Sequence, residues 1–224
     1  MFEFKRPRHK LIQAALGQFD AGFLKQNRIY FGGGTRISME LDEYRESVDI
    51  DFLCPDKASY RAVRECVDGS SLGQLVVQDF EYPRDIRFDR YGVRTFINWQ
   101  GEKIKLELIS CDDYYIEGSD LPGIPVPVID HTACFTTKLL ANADRGLSPP
   151  FKDILDLLMM QLAWGPIPEQ ALKAARQQYG HAVDQAYSAT LTNLVNNWPK
   201  LEIEALAMGI SPEQLKRLHN KALS

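Results

Sequence analysis

Between Tyr30 and Asp56 the chain reads YFGGGTRISMELDEYRESVDIDFLCPD, in which two aspartates, Asp49 and Asp51, flank a single isoleucine. In an extended strand residues two apart point the same way, so both carboxylates leave one face while Val48, Ile50 and Phe52 line the other. Like charges this close repel, and a cation or a proton has to offset them. A hard divalent ion such as Mg²⁺ suits oxygen donors and leaves positions open for phosphate oxygens. Upstream, the run Gly32-Gly33-Gly34 carries no Cβ to hold an anion away from backbone N–H groups. The N-terminus of a following helix adds favourable partial charge. A phosphate cradle beside a metal-binding carboxylate pair is the equipment of phosphoryl or nucleotidyl transfer. Taken singly, three glycines make a turn and an Asp-x-Asp strand makes a solvated edge. Their combination on one strand–turn–helix–strand unit carries the reading.

Three further places hold charged residues on largely apolar elements. In HTACFTTKLLANAD, Lys138 stands at helical spacing from Cys134, Phe135 and Ala141. It is either snorkelling to solvent or held against an anion. In PPFKDILDL, Asp153 and Asp156 lie one turn apart at an otherwise apolar helix start, after the cap candidate Ser148 and the prolines Pro149 and Pro150. The structural alternatives are that Asp153 complements the helix dipole and that Lys152 pairs with Asp156 at i,i+4. In KIKLELIS, Glu107 shares a face with Lys103 and Lys105 and is the one acid of that strand. It is a candidate third carboxylate, or the partner of a cross-strand salt bridge.

These groups need a scaffold. Ile12, Leu16, Phe19 and Phe23 have the spacing of one helix face over residues 7–26. RIYF reads as a short strand, TRISMELDEY as a helix and SVDIDFL as a strand, with Asp56 capping a helix over 57–67. QLVVQDFEY, DIRFDRY, VRTFINW and KIKLELIS read as strands, the last three as an antiparallel meander. The proline-rich SDLPGIPVPVID marks a boundary, and the pattern from His131 onward is helical. The expected fold class is α+β: a mixed or antiparallel sheet with helices over residues 1–129, then an all-helical region over 130–224 that completes the active-site cleft.

The 224 residues carry 26 Lys and Arg, 30 Asp and Glu and a net charge of −4, with 45% hydrophobic residues, a globular composition. No run approaches a membrane span, and no signal-type core follows the basic N-terminus. The four cysteines, Cys54, Cys66, Cys111 and Cys134, show no metal-type spacing and read as reduced thiols of a cytoplasmic protein. A nucleic-acid contact would need a local patch such as Lys5, Arg6, Arg8 and Lys10, which also reads as a solvated helix end. Trp164, Tyr179, Tyr187 and Trp198 read as packing residues rather than base-stacking platforms.

GGT…RESVDIDF resembles the signature of the DNA polymerase β-type nucleotidyltransferase superfamily. More narrowly it resembles the AbiEii/AbiGii-type branch, the toxins of bacterial toxin–antitoxin and phage-abortive systems. The residues that carry the resemblance are Gly33, Gly34 and Thr35, then Arg45 and Ser47, then Asp49 and Asp51. A second set matches the branch's lysine helix, Asp-Arg pair and basic-Asp-x-x-Asp helix start: Lys138, Asp144, Arg145, Asp153 and Asp156. The match covers roughly residues 30–160. It implies that Gly33, Gly34, Thr35, Arg45, Ser47 and Lys138 bind nucleotide, that Asp49 and Asp51 hold Mg²⁺, and that Asp153 acts near the reacting hydroxyl. The third carboxylate common in the superfamily falls on Glu107. The expected reaction is transfer of NMP from an NTP to an acceptor hydroxyl on tRNA or protein, with a cognate antitoxin as partner. The competing expectations are a catalytically idle nucleotide- or partner-binding module and kinase-like γ-phosphoryl transfer.

Overall fold

The computed structural model describes residues 3–111, 114–146 and 151–223. It consists of two compact units, Met1–Arg36 with Ser47–Asp130, and Ile37–Glu46 with His131–Ser224.

The first unit holds α1 (Pro7–Leu16), α2 (Ala21–Gln26), β1 (Tyr30–Gly32), the start of α3 (Gly33–Glu40), β2 (Ile50–Cys54) and α4 (Lys57–Cys66). β3 (Arg87–Phe88), β4 (Gly92–Trp99), β5 (Glu102–Ser110), β6 (Gly118–Ser119) and β7 (Val128–Ile129) follow. All seven strands form one mixed sheet in the order β3-β4-β5-β2-β1-β7-β6. The central strand β2 runs antiparallel to β1 and parallel to β5. Alternation builds the β4–β5 hairpin: Val93, Thr95 and Ile97 are buried on one strand, Ile104, Leu106 and Leu108 on the other. Its two-residue loop has Gln100 at φ 50° and Gly101 at φ 82°. Positive φ at both positions is what a type I′ turn needs to follow the strand twist.

Several expected elements differ. The helix expected over 7–26 is broken between α1 and α2, where the Asp20 side chain accepts the Phe23 N–H at 2.9 Å and starts a new helix. The turn thus formed buries Phe19 against Phe52 and Phe80. QLVVQDFEY forms no strand of its own. It is tied to the fold by single bridges, Val76 to Phe19 and Glu81 to Asn98, and Val77 is 69% exposed. Val48, expected in the core, is 42% exposed because regular pairing begins only at Ile50. The glycines do not precede the helix as a separate loop, since α3 begins at Gly33 itself.

The second unit contains the end of α3, the turn after it, and α5 (His131–Arg145), α6 (Lys152–Trp164), α7 (Glu169–Tyr179), α8 (Ala182–Asn196), α9 (Trp198–Ala207) and α10 (Pro212–Leu223). α6 is buried from Asp153 to Met160, as its nearly all-apolar sequence requires. Gly180, at φ 58°, splits the long helical pattern after Pro168 into α7 and α8. Trp164 stacks on His131 at 3.8 Å and Trp198 on His219 at 4.2 Å, so both indoles are packing groups. The class is α+β, with a seven-stranded mixed sheet and ten α-helices among the described residues. Ser148, Pro149 and Pro150 lie outside the described residues, and the residue preceding α6 is Phe151, without a side-chain cap.

Candidate active site

In the first unit the acidic couple sits where β2 begins. Asp49 directly precedes the strand, Asp51 is its second residue, and both are half-buried. Asp51 is in register with Gly32 of β1 on one side and Glu107 of β5 on the other. Gly33 has φ 70°, and a Cβ on it would overlap the Asp51 carboxylate. The first turn of α3 therefore packs directly on one of the two acids, an approach that only glycine permits. Thr35 is buried, and its hydroxyl and that of Ser47 are 2.8 Å apart in a hydrogen bond. Nε2 of the buried His9 accepts the Ser47 N–H at 3.3 Å, fixing the segment that leads into Asp49.

Glu107 is not an isolated carboxylate. One oxygen meets Nζ of Lys105 and the other lies 3.4 Å from Nε of Arg94, its register partner on β4. Partial burial pushes the Lys105 ammonium down, but Glu107, Asp49 and Asp51 outweigh it and its pKa is raised. Lys105 thus serves all three acids.

The second unit contains a buried ionic cluster built by α5, α6 and the turn after α3. That turn has Asp42 and Glu43 at positive φ, and the Ser38 hydroxyl donates to the Arg45 carbonyl at 2.5 Å. Tyr44 and Arg45 are thereby directed inward. Arg45 forms a two-pronged pair with Asp156, Nε to Oδ1 at 2.7 Å and Nη2 to Oδ2 at 2.9 Å, and donates Nη1 to the Glu46 carbonyl. Lys138 lies 2.8 Å from Asp153 and 2.6 Å from Asp156, and Arg145 holds the other Asp153 oxygen. The Tyr44 hydroxyl donates to Asp156. Burial alone would raise the Asp156 carboxyl, yet Arg45 and Lys138 hold it well below the usual range. Burial, with Asp156 adding to it, keeps Tyr44 protonated far above its ordinary value. Burial lowers the pKa of Lys152, helped by the nearby Lys138 and Arg145. Four cationic side chains thus face two carboxylates, and the cluster carries a positive surplus.

The profile of the family described as "Nucleotidyl transferase AbiEii toxin, Type IV TA system" matches residues 17–223. The chain belongs to this family. It is therefore a nucleotidyltransferase of the AbiEii toxin type. No curated protein matches the chain closely enough to count as a relative. Among solved structures it is similar to a candidate nucleotidyltransferase from H. pylori (14% identity, 96% of this chain and 92% of that one, TM-score 0.48). It is also similar to JHP933 from Helicobacter pylori (14%, 99% and 95%, TM-score 0.46). A third likeness is to an antigenic nucleotidyltransferase-like protein from Paracoccidioides brasiliensis (17%, 91% and 94%, TM-score 0.45).

Within the first unit of this AbiEii chain the fold brings together Gly33, Asp51 and Glu107, with Asp49 close enough to bear on Lys105. Within the second it brings together Arg45, Lys138, Asp153 and Asp156. Asp156 goes to Arg45 and Lys138 rather than to Lys152 at i,i+4, and Asp144 is exposed. Sequence reasoning passed over three residues. Lys105 was legible, since it shares the alternating face of Glu107. Tyr44 and His9 were not, because nothing local marks a tyrosine or histidine that will be buried against a distant polar group. None of the four cysteines is in a disulfide. Among the described residues no helix is long and apolar enough to cross a membrane, and no group of three or more His, Cys, Asp and Glu is arranged to hold a metal ion.

Proposed function

We propose that the chain transfers NMP from an NTP to an acceptor hydroxyl in a Mg²⁺-dependent reaction, and that it does so as a toxin restrained by a cognate antitoxin. The observation that carries this reading is the packing of the α3 first turn on Asp51. In this reading the backbone N–H groups of Gly33, Gly34 and Thr35, at a helix N-terminus, receive phosphate beside the acids. Asp49 and Asp51 form an oxygen-only donor pair, which fits Mg²⁺, an ion that completes its shell with water and phosphate oxygens. When bound, Mg²⁺ would offset charge on the α-phosphate and the departing pyrophosphate. The remaining work belongs to the chain. The Thr35–Ser47 hydrogen bond and the His9 contact fix the approach to Asp49, and such fixed placement is where positioning catalysis arises. Glu107, itself paired with Arg94, holds Lys105 near Asp49 and Asp51, so the mutual repulsion of those acids is partly offset before substrate arrives. In the second unit, the cationic surplus around Lys138, Arg145 and Lys152 supports a phosphate-binding role, in accord with the part the resemblance gives Lys138. Asp153, assigned to the reacting hydroxyl by the same resemblance, has both oxygens in ion pairs. As a base it would have to release one of them. The acceptor is proposed to be a tRNA or a protein.

The test supplies NTP labelled at the α or the γ phosphate, with Mg²⁺ or with chelator. The expected result is transfer of α label alone, lost with chelator and lost in Asp49→Ala and Asp51→Ala proteins that fold normally. Transfer of γ label, or full α-label transfer by the Asp51→Ala protein, would overturn the assignment. Growth arrest on expression that depends on Asp51 is the expected cellular counterpart.

A further inference from the structure

A cavity of about 850 Å³ in the first unit lies between α4 and the turn that joins β3 to β4, with Ser110 of β5 on its wall. Lys57, Arg61 and Arg64 stand four and three residues apart on α4, on one face of the helix, and Arg90 enters from the turn. None of these four cations forms an ion pair among the described residues. Nη1 of Arg64 is buried without a hydrogen-bond partner, and its guanidinium lies 3.7 Å over the Phe88 ring. The guanidinium of Arg90 lies 4.5 Å over the ring of Tyr91 and donates to its hydroxyl, and Tyr91 is 54% exposed. Asp89 is the one acid among the described lining residues. Its carboxylate is engaged in the turn, accepting the N–H groups of Tyr91 at 2.7 Å and Gly92 at 3.2 Å and facing Arg94 at 3.3 Å. Asp112 and Asp113, further along the chain, lie outside the described residues. The basic N-terminal run behaves differently: Arg8 is tied to Glu102 and to the Lys103 carbonyl, and Lys10 to Glu3. At α4 and the turn facing it, by contrast, four cations line one cavity without an ion pair among the described residues.

We propose that this cavity binds a single-stranded nucleic acid, its phosphates on Lys57, Arg61, Arg64 and Arg90 and one base on the face of Tyr91. Cations alone would accept any polyanion. Cations interleaved with an exposed aromatic face select a strand with unpaired bases, because stacking adds to the phosphate contacts and tolerates any sequence. A run of acidic side chains offers Tyr91 no aromatic base to stack on. Strand alternation puts Ser110 on the other face of the sheet from Asp51 and Glu107. Ser110 pairs with Cys54, three residues beyond the Asp51–Glu107 pair, which is about 10 Å at the rise of a strand. The binding does not rest on the proposed reaction.

The experiment measures fluorescence anisotropy of a labelled 12-nucleotide RNA, and of DNA of the same sequence, with the full chain over a range of salt. The Arg61→Gln/Arg64→Gln protein should bind at least about 10-fold more weakly, with a salt slope flatter by about 1.4, since each phosphate contact on a single strand contributes about 0.7. Tyr91→Ala should weaken binding by roughly 5- to 150-fold, the range expected for one stacked base, and Tyr91→Phe should restore it. Should the first pair fail to fold, Lys57→Gln/Arg90→Gln replaces only exposed side chains and carries the same expectation. Tight binding of RNA over DNA, or of both alike, sustains the site and identifies the strand. Asp51→Ala should bind like the parent, which separates a failed reaction from a failed site. The proposal is overturned if the parent binds neither strand, if the cation pairs bind like the parent, or if polyglutamate of equal charge competes equally and Tyr91→Ala has no effect.

Discussion

A methyl group placed on Gly33 would overlap the Asp51 carboxylate and come 3.0 Å from its carboxyl carbon. Carbon atoms settle at about 3.5–4.0 Å, so Gly33→Ala has to displace the acid or the turn by on the order of 1 Å. A misplacement of that size costs about 10²-fold in rate, or about 2.7 kcal/mol in the barrier. The backbone adds a separate penalty, because φ at Gly33 is 70° and a left-handed conformation costs alanine about 1–2 kcal/mol. Gly101→Ala separates the two effects. Gly101 has φ 82°, yet no atom lies within 4 Å of an added Cβ, so it suffers the strain without the overlap. Both variants should melt lower, Gly33→Ala by at least as much as Gly101→Ala, at about 2–4 °C per kcal/mol in a chain of this size. Pyrophosphate release, followed at saturating NTP and Mg²⁺, should fall about 100-fold in Gly33→Ala and stay near the parent in Gly101→Ala. Gly33→Ala retaining a third or more of the parental rate would sink the argument that the helix turn and the acid act as one site. Equal losses in both variants would assign the effect to strain alone.

Asp156→Ala leaves Arg45 and Lys138 buried with one carboxylate fewer and takes the acceptor from Tyr44. Such an uncompensated buried charge costs about 3–5 kcal/mol, to be read by chemical denaturation followed by helical circular dichroism; a loss under 1 kcal/mol would show that the cluster contributes little. The same pair sets an acid limit. The folded-state pKa of Asp156 is lowered, so its stabilisation is fully present above the unfolded carboxyl value of about 3.9 and is lost as pH falls from there through the folded value. Stability measured from pH 6 downward should hold to about pH 4 and then decline, and the Asp156→Ala protein should lack that part of the decline.

Local pattern carried much of this protein. The alternation of VRTFINW and KIKLELIS fixes two paired strands because a period of two admits only one buried face, and the glycine run and Asp-x-Asp announce their chemistry by type and spacing. The Asp20 cap and the two-residue interruption at Gly180 and His181 are local too, but each competes with a longer helical periodicity and is visible only when the chain has to pack. Tertiary structure alone decided the rest. Whether Glu107 stands as a third acid or as a paired one depends on Arg94 arriving from a neighbouring strand. Lys138 could have reached solvent; it is held by Asp153 and Asp156 because α6 packs beside α5. Arg45 and Asp156 are separated by 111 residues, and no window of sequence contains both. Ion pairing and burial depend on distance in space, and periodicity reports only which side of its own element a residue occupies.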